Sequence, residues 1–118
     1  MEFRENQAIY LQIADHFIEN ILLEKWPPGQ RIPSVRELAV QLEVNPNTVA
    51  RTYSHLQEQE IIFNKRGIGY FVSEQGYSKA QKLKKEEFIQ HDVPFFFRKM
   101  ELLDLQLEEI YQIYQQQK

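Results

Sequence analysis

The sequence predicts a mainly α fold that contains one small β-hairpin, and three observations support this prediction. Apolar residues recur at helical spacing before residue 26 and again after residue 95. Two strong helix-start signals stand close together, at Ser34 and at Asn45. Two β-prone runs, 61–63 and 69–72, flank a short segment that contains glycine. Together they indicate three helices followed by a hairpin, with further helix after it.

The first predicted element is an amphipathic helix over about residues 6 to 25. Pro27, Pro28 and Gly29 follow it, and this sequence excludes helix and forces a turn. The apolar stripe that predicts the helix consists of Ile9, Tyr10, Ile13, Ala14, Phe17, Ile18, Ile21 and Leu22.

Two short helices joined by a turn are predicted next. Ser34 is a favourable N-cap, and Glu37 three residues later completes a capping box. Asn45 is a second N-cap, followed by Pro46 at the first helical position. The pair therefore reads as a helix-turn-helix. The expected inward residues are Val35, Leu38, Ala39 and Leu42 in the first helix, and Val49, Tyr53 and Leu56 in the second.

The outward face of the second helix carries the functional prediction. Asn and Thr are mediocre helix formers, so propensity alone would not select them there. A solvated helix surface is the plain alternative, but their concentration in the first two turns favours contact with DNA base edges. The residues expected on this face are Asn47, Thr48, Arg51, Thr52 and His55.

A hairpin is predicted from Ile61 to Val72, where a winged helix-turn-helix would place its wing. Lys65 and Arg66 stand at its tip beside Gly67, and two cations there suit a phosphate or minor-groove contact. An ordinary charged hairpin tip is the alternative. The position directly after a helix-turn-helix favours the wing.

A change in composition near residues 75–78 predicts a boundary between a DNA-binding domain, residues 1–76, and a short helical region, residues 77–118. Ser78 or a residue near it is expected to cap a lysine-rich helix of about residues 79–91, and Pro94 to end it or to start the next. Lys79, Lys82, Lys84 and Lys85 are most simply a solvated face, with phosphate contact as a minority alternative.

The tail has the most regular periodicity in the chain. Six apolar residues are spaced 4, 3, 4, 3 and 4, which is a heptad seam on one helix. A helix with this many apolar residues must pack against its own domain or against a partner. A homodimer is favoured because helix-turn-helix proteins read two half-sites. The alternative is that the aromatic residues of the tail line a ligand-binding groove. The predicted dimerisation residues are Phe96, Met100, Leu103, Leu107, Ile110 and Tyr114.

Composition excludes several functions for this chain of 118 residues. It has no cysteine, and its three histidines lie far apart, so no metal and no cofactor are expected. No apolar run approaches the roughly 20 residues of a membrane helix, and residues 1–5 lack a signal pattern, so we expect a cytoplasmic protein with no membrane partner. No nucleophile–base set or phosphate loop indicates an enzyme.

The net charge of −3 means that any DNA-binding face must arise from local clustering. Residues 1–76 hold seven Lys and Arg against ten Asp and Glu, while residues 77–118 hold seven of each. A non-specific or architectural DNA-binding protein usually needs a basic surface, so this alternative is disfavoured. A protein-interaction module that has lost DNA binding is the other alternative. The candidate cations are Arg36, Arg51, Lys65 and Arg66.

From about Ile9 to Glu74 the chain resembles the winged helix-turn-helix domain of GntR-family bacterial transcription regulators. The resemblance extends over more than half of the chain, with the motifs in the family's order and spacing. The matching residues are Ile9–Ile13, Pro28–Gly29, Ile32–Ala39, Val44–Val49 with Arg51 and Tyr53, and Gly67–Val72.

The resemblance implies contacts with double-stranded DNA by named residues. Arg36 matches an arginine that typically contacts DNA in this family, and Arg66 with Gly67 matches the wing tip. In the recognition helix the matching positions are Asn45, Asn47, Thr48 and Arg51, to which the outward-face argument adds Thr52 and the hairpin argument Lys65.

The short tail resembles the YtrA-type branch, in which two C-terminal helices serve for dimerisation. The resemblance thus implies a winged helix-turn-helix domain followed by two dimerisation helices, and a homodimeric regulator, by family default a repressor, on a near-palindromic operator. A small-molecule effector is left open.

Two residues depart from the family's pattern. Glu60 stands where a left-handed glycine usually ends the recognition helix, at a cost of about 1 kcal/mol if the backbone keeps that conformation. Tyr70 follows Gly69 where smaller residues are common. The geometry of the wing is therefore expected to differ locally.

Overall fold

The computed structural model describes residues 7–118, which divide between Lys82 and Leu83 into two compact units. The predicted mainly α fold with a small β-hairpin is confirmed. The first unit contains α1 (Ile9–Leu22), β1 (Arg31–Ile32), α2 (Val35–Leu42), α3 (Pro46–Glu58), β2 (Ile62–Lys65) and β3 (Gly69–Val72). α4 (Gly76–Glu87) begins in the first unit, and the second contains a π-helical turn (Phe88–Asp92), α5 (Val93–Leu102) and α6 (Leu107–Gln117).

α1 lies across the core of the first unit and packs on α3. Its buried residues are Ile13, Ala14, Phe17, Ile18 and Ile21, as the apolar stripe predicted, although Ile9 is exposed. The helix ends at Leu22, three residues earlier than expected, because the chain turns at Glu24 with φ 61°. The expected start near residue 6, and the segment 1–5, lie outside the described residues.

The capping box of α2 is confirmed. The backbone N–H of Glu37 donates to Ser34 Oγ at 3.1 Å, and the N–H of Ser34 donates to Glu37 Oε1 at 2.9 Å. The hydrogen bond from the Ser34 backbone N–H, with further contributions from the Ser34 side chain and from Arg31, lowers the pKa of the Glu37 carboxyl. Leu38 and Ala39 are buried as expected, but Leu42 is exposed, because it is the last residue of a short helix and the chain turns away after it.

α3 begins as predicted, with Asn45 Oδ1 accepting the backbone N–H of Asn47 at 2.7 Å. Its inward residues Val49, Tyr53 and Leu56 are fully buried. The Tyr53 hydroxyl donates to the carbonyl of Pro33 at 2.5 Å, so a buried polar group has its partner. Burial, helped by nearby Tyr70 and Glu37, raises the pKa of Tyr53. This tyrosine therefore ties the recognition helix to the segment that precedes α2.

The wing belongs to a three-stranded antiparallel sheet of order β1-β3-β2, whereas the sequence predicted two strands. The additional strand, β1, pairs Arg31 with Phe71 and Ile32 with Tyr70. The Tyr70 ring meets the edge of the Tyr53 ring at a centroid distance of 4.8 Å. The bulky residue after Gly69 is thus accommodated by half-burial against α3 rather than by distortion of the wing.

Four acidic residues adopt left-handed backbone conformations where helices end: Glu24, Glu43, Glu60 and Asp104, with φ between 55° and 62°. At Glu60 the backbone takes the left-handed conformation in spite of the glutamate, so the local difference expected there does not arise in the backbone conformation of this residue. Glu60 donates its N–H to Gln57 O at 2.9 Å, and Ile61 donates to Leu56 O at 3.0 Å, the pattern of a Schellman motif. The buried Ile61 and Leu56 hold this turn closed without glycine.

We expect Glu43→Gly to raise the free energy of unfolding by about 1 kcal/mol, because glycine removes the steric penalty of the left-handed conformation. Glu43 is exposed and has φ 55°, and it lies in the turn between α2 and α3. Urea unfolding followed by circular dichroism measures the change. Gln41→Gly, inside α2 and also exposed, is the matched control and should lower stability by about 1 kcal/mol. Equal losses in both variants would contradict the prediction.

The single heptad helix predicted for the tail was wrong, because the chain leaves helix between Leu102 and Leu107. Asp104 turns with φ 55°, and Leu105 donates its N–H to Met100 O at 2.9 Å, which closes a Schellman motif. Helix then restarts at a capping box, in which the N–H of Gln106 donates to Glu109 Oε2 at 2.9 Å. Local capping therefore overrides the apolar spacing.

The lysine-rich helix also differs from its prediction. α4 begins at Gly76, and the Ser78 hydroxyl donates to Gln75 O at 3.0 Å inside the first turn, so Ser78 is not the N-cap. The π-helical turn precedes Pro94, which lies in the first turn of α5. Of the two alternatives predicted for Pro94, the start of the next helix is therefore the one observed. Proline has no N–H and displaces the carbonyl four residues earlier, which the wider turn accommodates.

The helices described for residues 7–118 include none with the length and apolar character of a membrane span.

Candidate nucleic-acid interface

The first two turns of α3 expose a polar surface. Asn47 and Arg51 are exposed as predicted, and Thr48 is half-buried. Ala50 and Ser54 are also exposed, three and seven residues after Asn47, and so extend the same surface. Sequence reasoning passed over Ala50 because its side chain carries no hydrogen-bonding group, and it passed over Ser54 although the serine hydroxyl can donate and accept. Their helical spacing from Asn47 was the available signal.

Thr52 does not belong to this surface, and its predicted outward position was wrong. It is fully buried, and its hydroxyl donates to the carbonyl of Tyr10 in α1 at 2.7 Å. Thr52 lies three residues after Val49 and four before Leu56, which places it on the helix side that packs against α1. Its role is to join α1 to α3, and its buried hydroxyl is not available to contact DNA.

Arg51 lies against an aromatic ring of α1. Its guanidinium carbon is 4.0 Å from the centroid of the Tyr10 ring. The ring of His55 meets Tyr10 edge-on at 6.1 Å, which explains why His55 is half-buried rather than outward-facing. The side chain of Arg51 remains exposed. One face of the guanidinium is therefore covered, while the donors at its edge stay accessible to solvent.

Two further polar residues lie at helix starts. Arg36 is exposed in the first turn of α2. Asn45 is exposed at the N-cap of α3, with its side-chain oxygen already engaged by the backbone of Asn47. Its amide nitrogen donors are left for an acceptor. The start of α3 also carries the positive end of the helix dipole, which favours an anion.

The wing tip is exposed and cationic. The N–H of Ile68 donates to Lys65 O at 2.8 Å, and Gly67 takes φ 79°, so the chain reverses tightly there. Lys65, Arg66 and Gly67 are all exposed, as predicted. A left-handed residue in such a turn favours glycine because glycine has no Cβ.

Arg31, which was not among the sequence candidates, adds a third cation to the wing. A Cβ placed on Gly69 would lie 3.1 Å from Arg31 Nε, so the guanidinium side chain passes over the backbone of β3. The exposed Arg31 is brought there by the pairing of β1 with β3. Since β1 is only two residues long, nothing in the local sequence signalled this position.

The predicted dimerisation residues all lie in the second unit. Among the residues described there, Met100 is the one buried apolar side chain, and Ile110 is half-buried. The exposed apolar residues of this unit are Phe88, Ile89, Phe96, Phe97, Leu102, Leu103, Leu107, Tyr111, Ile113 and Tyr114.

Within residues 7–118, no group of three His, Cys, Asp or Glu side chains could hold a metal ion.

A helix-turn-helix with exposed polar residues in the first turns of its second helix, followed by a cationic hairpin, defines the class of winged helix-turn-helix DNA-binding proteins. The family profile described as "Bacterial regulatory proteins, gntR family" matches residues 9–72. The chain belongs to the GntR family and is a DNA-binding transcriptional regulator rather than an enzyme.

Relatives of similar length support this assignment. The chain is 36% identical over 109 residues to the Bacillus subtilis protein "Uncharacterized HTH-type transcriptional regulator YhcF", covering 92% of this chain and 88% of the relative. It is 42% identical over 71 residues to "HTH-type transcriptional repressor YtrA" of Bacillus subtilis, covering 60% of this chain and 55% of that protein.

Solved structures extend the likeness to the tail. A GntR-family regulator from Bacteroides thetaiotaomicron is 46% identical, with a TM-score of 0.76 over 94% of this chain and 100% of its own. The GntR-family factor YtrA from Sulfolobus acidocaldarius is 31% identical, with a TM-score of 0.58 over 75% of this chain and 93% of its own. The resemblance to the YtrA-type branch is thereby confirmed.

Proposed function

We propose that this regulator is a homodimeric, sequence-specific repressor that acts in the cytoplasm on a near-palindromic operator. The observation that carries the proposal is the exposed polar surface of α3, which begins at its N-cap and includes Asn47 and Arg51. A recognition helix enters the major groove with such N-terminal residues, and two of them read half-sites about one helical turn apart. The repressor role is supported by the name of the relative YtrA.

Within this proposal the side chains have different roles. Asn47 retains both its amide oxygen and its amide nitrogen, the pair that recognises adenine. Asn45 uses its oxygen to cap α3, so its remaining donors suit a phosphate oxygen. Ala50 can contact the methyl group of thymine. Arg36, Arg31, Lys65 and Arg66 supply the positive charge that the net composition lacks.

The dimer is proposed from the second unit. A unit that buries so few apolar side chains among the described residues has too little core to be stable alone. Large exposed apolar surfaces mark interaction sites. A second copy of this chain is the occupant that fits, since a reader of a near-palindrome needs a symmetric partner. Residues 83–118 hold five Lys and Arg against seven Asp and Glu, so the charge that opposes self-association is small.

Selection of bound sites from random duplex DNA with the purified protein tests the proposal. We expect an enriched inverted repeat whose half-site centres are about one helical turn apart. A single, unrepeated site would contradict binding as a dimer. Absence of any enrichment by the folded protein would contradict sequence-specific binding. A variant with Asn47→Ala and Arg51→Ala is the control, and it should lose the enrichment while keeping its thermal unfolding transition.

Repression is a separate outcome. A promoter carrying the selected repeat, joined to a reporter gene, should be transcribed less when the wild-type protein is added to purified RNA polymerase. Equal transcription with the wild-type protein and with the double variant would remove the repressor assignment without touching DNA binding.

A further inference from the structure

Tyr10, in the first turn of α1, contacts the recognition helix through both its backbone and its ring. Its carbonyl oxygen accepts the Thr52 hydroxyl at 2.7 Å, which holds this turn of α1 against α3. Its ring lies 4.0 Å from the guanidinium carbon of Arg51, and its edge faces the His55 ring. The backbone contact places the ring, and the ring in turn supports Arg51.

Stacking on an aromatic ring covers a face of the guanidinium and leaves its N–H donors free in the plane. In the part of the chain described here, no hydrogen bond or ion pair occupies the donors of Arg51. An arginine that is restrained in this way loses less side-chain entropy when it binds than a free one does. The ring also limits the directions in which the donors can point.

We propose that Tyr10 is a positioning residue for DNA recognition, which holds Arg51 in one orientation so that α1 contributes to the choice of base. The proposal rests on the proposed function, since it assumes that α3 reads DNA in the major groove. Tyr10 acts through the Arg51 side chain and not through a contact of its own. Its hydroxyl is therefore dispensable, while its aromatic ring is required.

A double-mutant cycle on the selected operator tests this inference. The variants are Tyr10→Leu, which removes the ring, Tyr10→Phe, which keeps it, Arg51→Ala, and Arg51→Ala combined with Tyr10→Leu. The Thr52 hydrogen bond goes to the backbone of Tyr10 and so remains possible in every variant. Thermal unfolding of each protein, measured first, shows that α1 still packs on α3.

We expect Tyr10→Leu to raise the dissociation constant for the operator by about 5- to 25-fold, because both protomers lose a cation–π contact. Tyr10→Phe should bind within about twofold of the wild type, since phenylalanine also supports a cation. In the Arg51→Ala background, Tyr10→Leu should have no further effect. On random-sequence DNA, Tyr10→Leu should leave the affinity unchanged.

Four outcomes would overturn the inference. If Tyr10→Leu binds like the wild type while Arg51→Ala is weaker, the ring does not position Arg51. If Tyr10→Leu is equally damaging in both backgrounds, or Tyr10→Phe is as weak as Tyr10→Leu, Tyr10 acts on its own. If Arg51→Ala has no effect, Arg51 does not read DNA. In each case a loss of affinity in Asn47→Ala would leave the proposed function standing.

Discussion

A Tyr114→Asp variant is expected to be monomeric at concentrations where the proposed wild-type dimer forms. Tyr114 is 56% exposed and shares a face of α6 with Leu107 and Tyr111. A buried tyrosine at an interface contributes about 2 kcal/mol or more, and the symmetric contact occurs twice, so the dimer dissociation constant should rise at least about 1,000-fold. Sedimentation velocity at micromolar protein measures this change.

The matched control for this variant is Gln112→Asp. It adds the same charge to the same helix, but two residues away and therefore on nearly the opposite side of α6. Gln112 is exposed, and its replacement should leave the dimer intact. Ile110→Asp is expected to act in the same direction as Tyr114→Asp, but Ile110 is already half-buried within its unit, so Tyr114 gives the cleaner result. Dimers in both aspartate variants at positions 110 and 114 would exclude this surface as the interface.

The Tyr114→Asp variant should also bind the operator much more weakly, by at least about 100-fold, because a monomer loses the second, tethered half-site. Its affinity for a DNA that carries one half-site should be unchanged. Equal losses on the whole operator and on the half-site would indicate damage to the DNA-binding unit instead.

Arg51→Ala is expected to weaken operator binding by about 1–3 kcal/mol for each half-site if the guanidinium contacts a base. Removal of the side chain leaves the partner atoms of the base unpaired, and Arg51 is exposed on the same face of α3 as Asn47. A fluorescence anisotropy titration at fixed salt, with operator and random-sequence duplexes in parallel, measures both affinities. The loss should be larger on the operator.

Lys82→Ala is the control, since it removes one exposed positive charge elsewhere in the first unit. It separates a specific contact from a general change of charge. If Arg51→Ala weakens both DNAs equally and lowers the salt dependence by about one ion per protomer, Arg51 contacts phosphate rather than a base. If the affinities of Arg51→Ala for both DNAs match those of Lys82→Ala, Arg51 lies outside the interface.

Much of the DNA-binding unit was predictable because its signals are local. The stripe from Ile13 to Ile21, the capping box of Ser34 and Glu37, and the Asn45–Pro46 helix start are each confirmed. Each depends on residues within one or two helical turns, so no knowledge of the fold is needed to interpret them. The left-handed turn at Glu60 is different, because the family resemblance raised it only as a condition and the residue type argued against it.

The errors arose where distant contacts or competing local signals decide the structure. Thr52 carries a hydroxyl, which suggests an outward position, but the carbonyl of Tyr10, 42 residues away, supplies a buried partner. Leu42 is apolar yet exposed. In the tail, apolar residues repeat across the turn at Asp104, and the capping box at Gln106 restarts the helix there. A periodic pattern does not distinguish one helix from two in register.

The sequence by itself determined the order of the helices and the wing, the ends at which they are capped, and the polar character of the first turns of α3. Only the tertiary structure decided that Tyr10 lies under Arg51, that Thr52 is buried, and that the two residues of β1 bring Arg31 to the wing. The physical reason is the separation in sequence between the residues that interact. Caps and stripes act between residues a few positions apart, whereas these contacts join segments that become neighbours only when the helices pack.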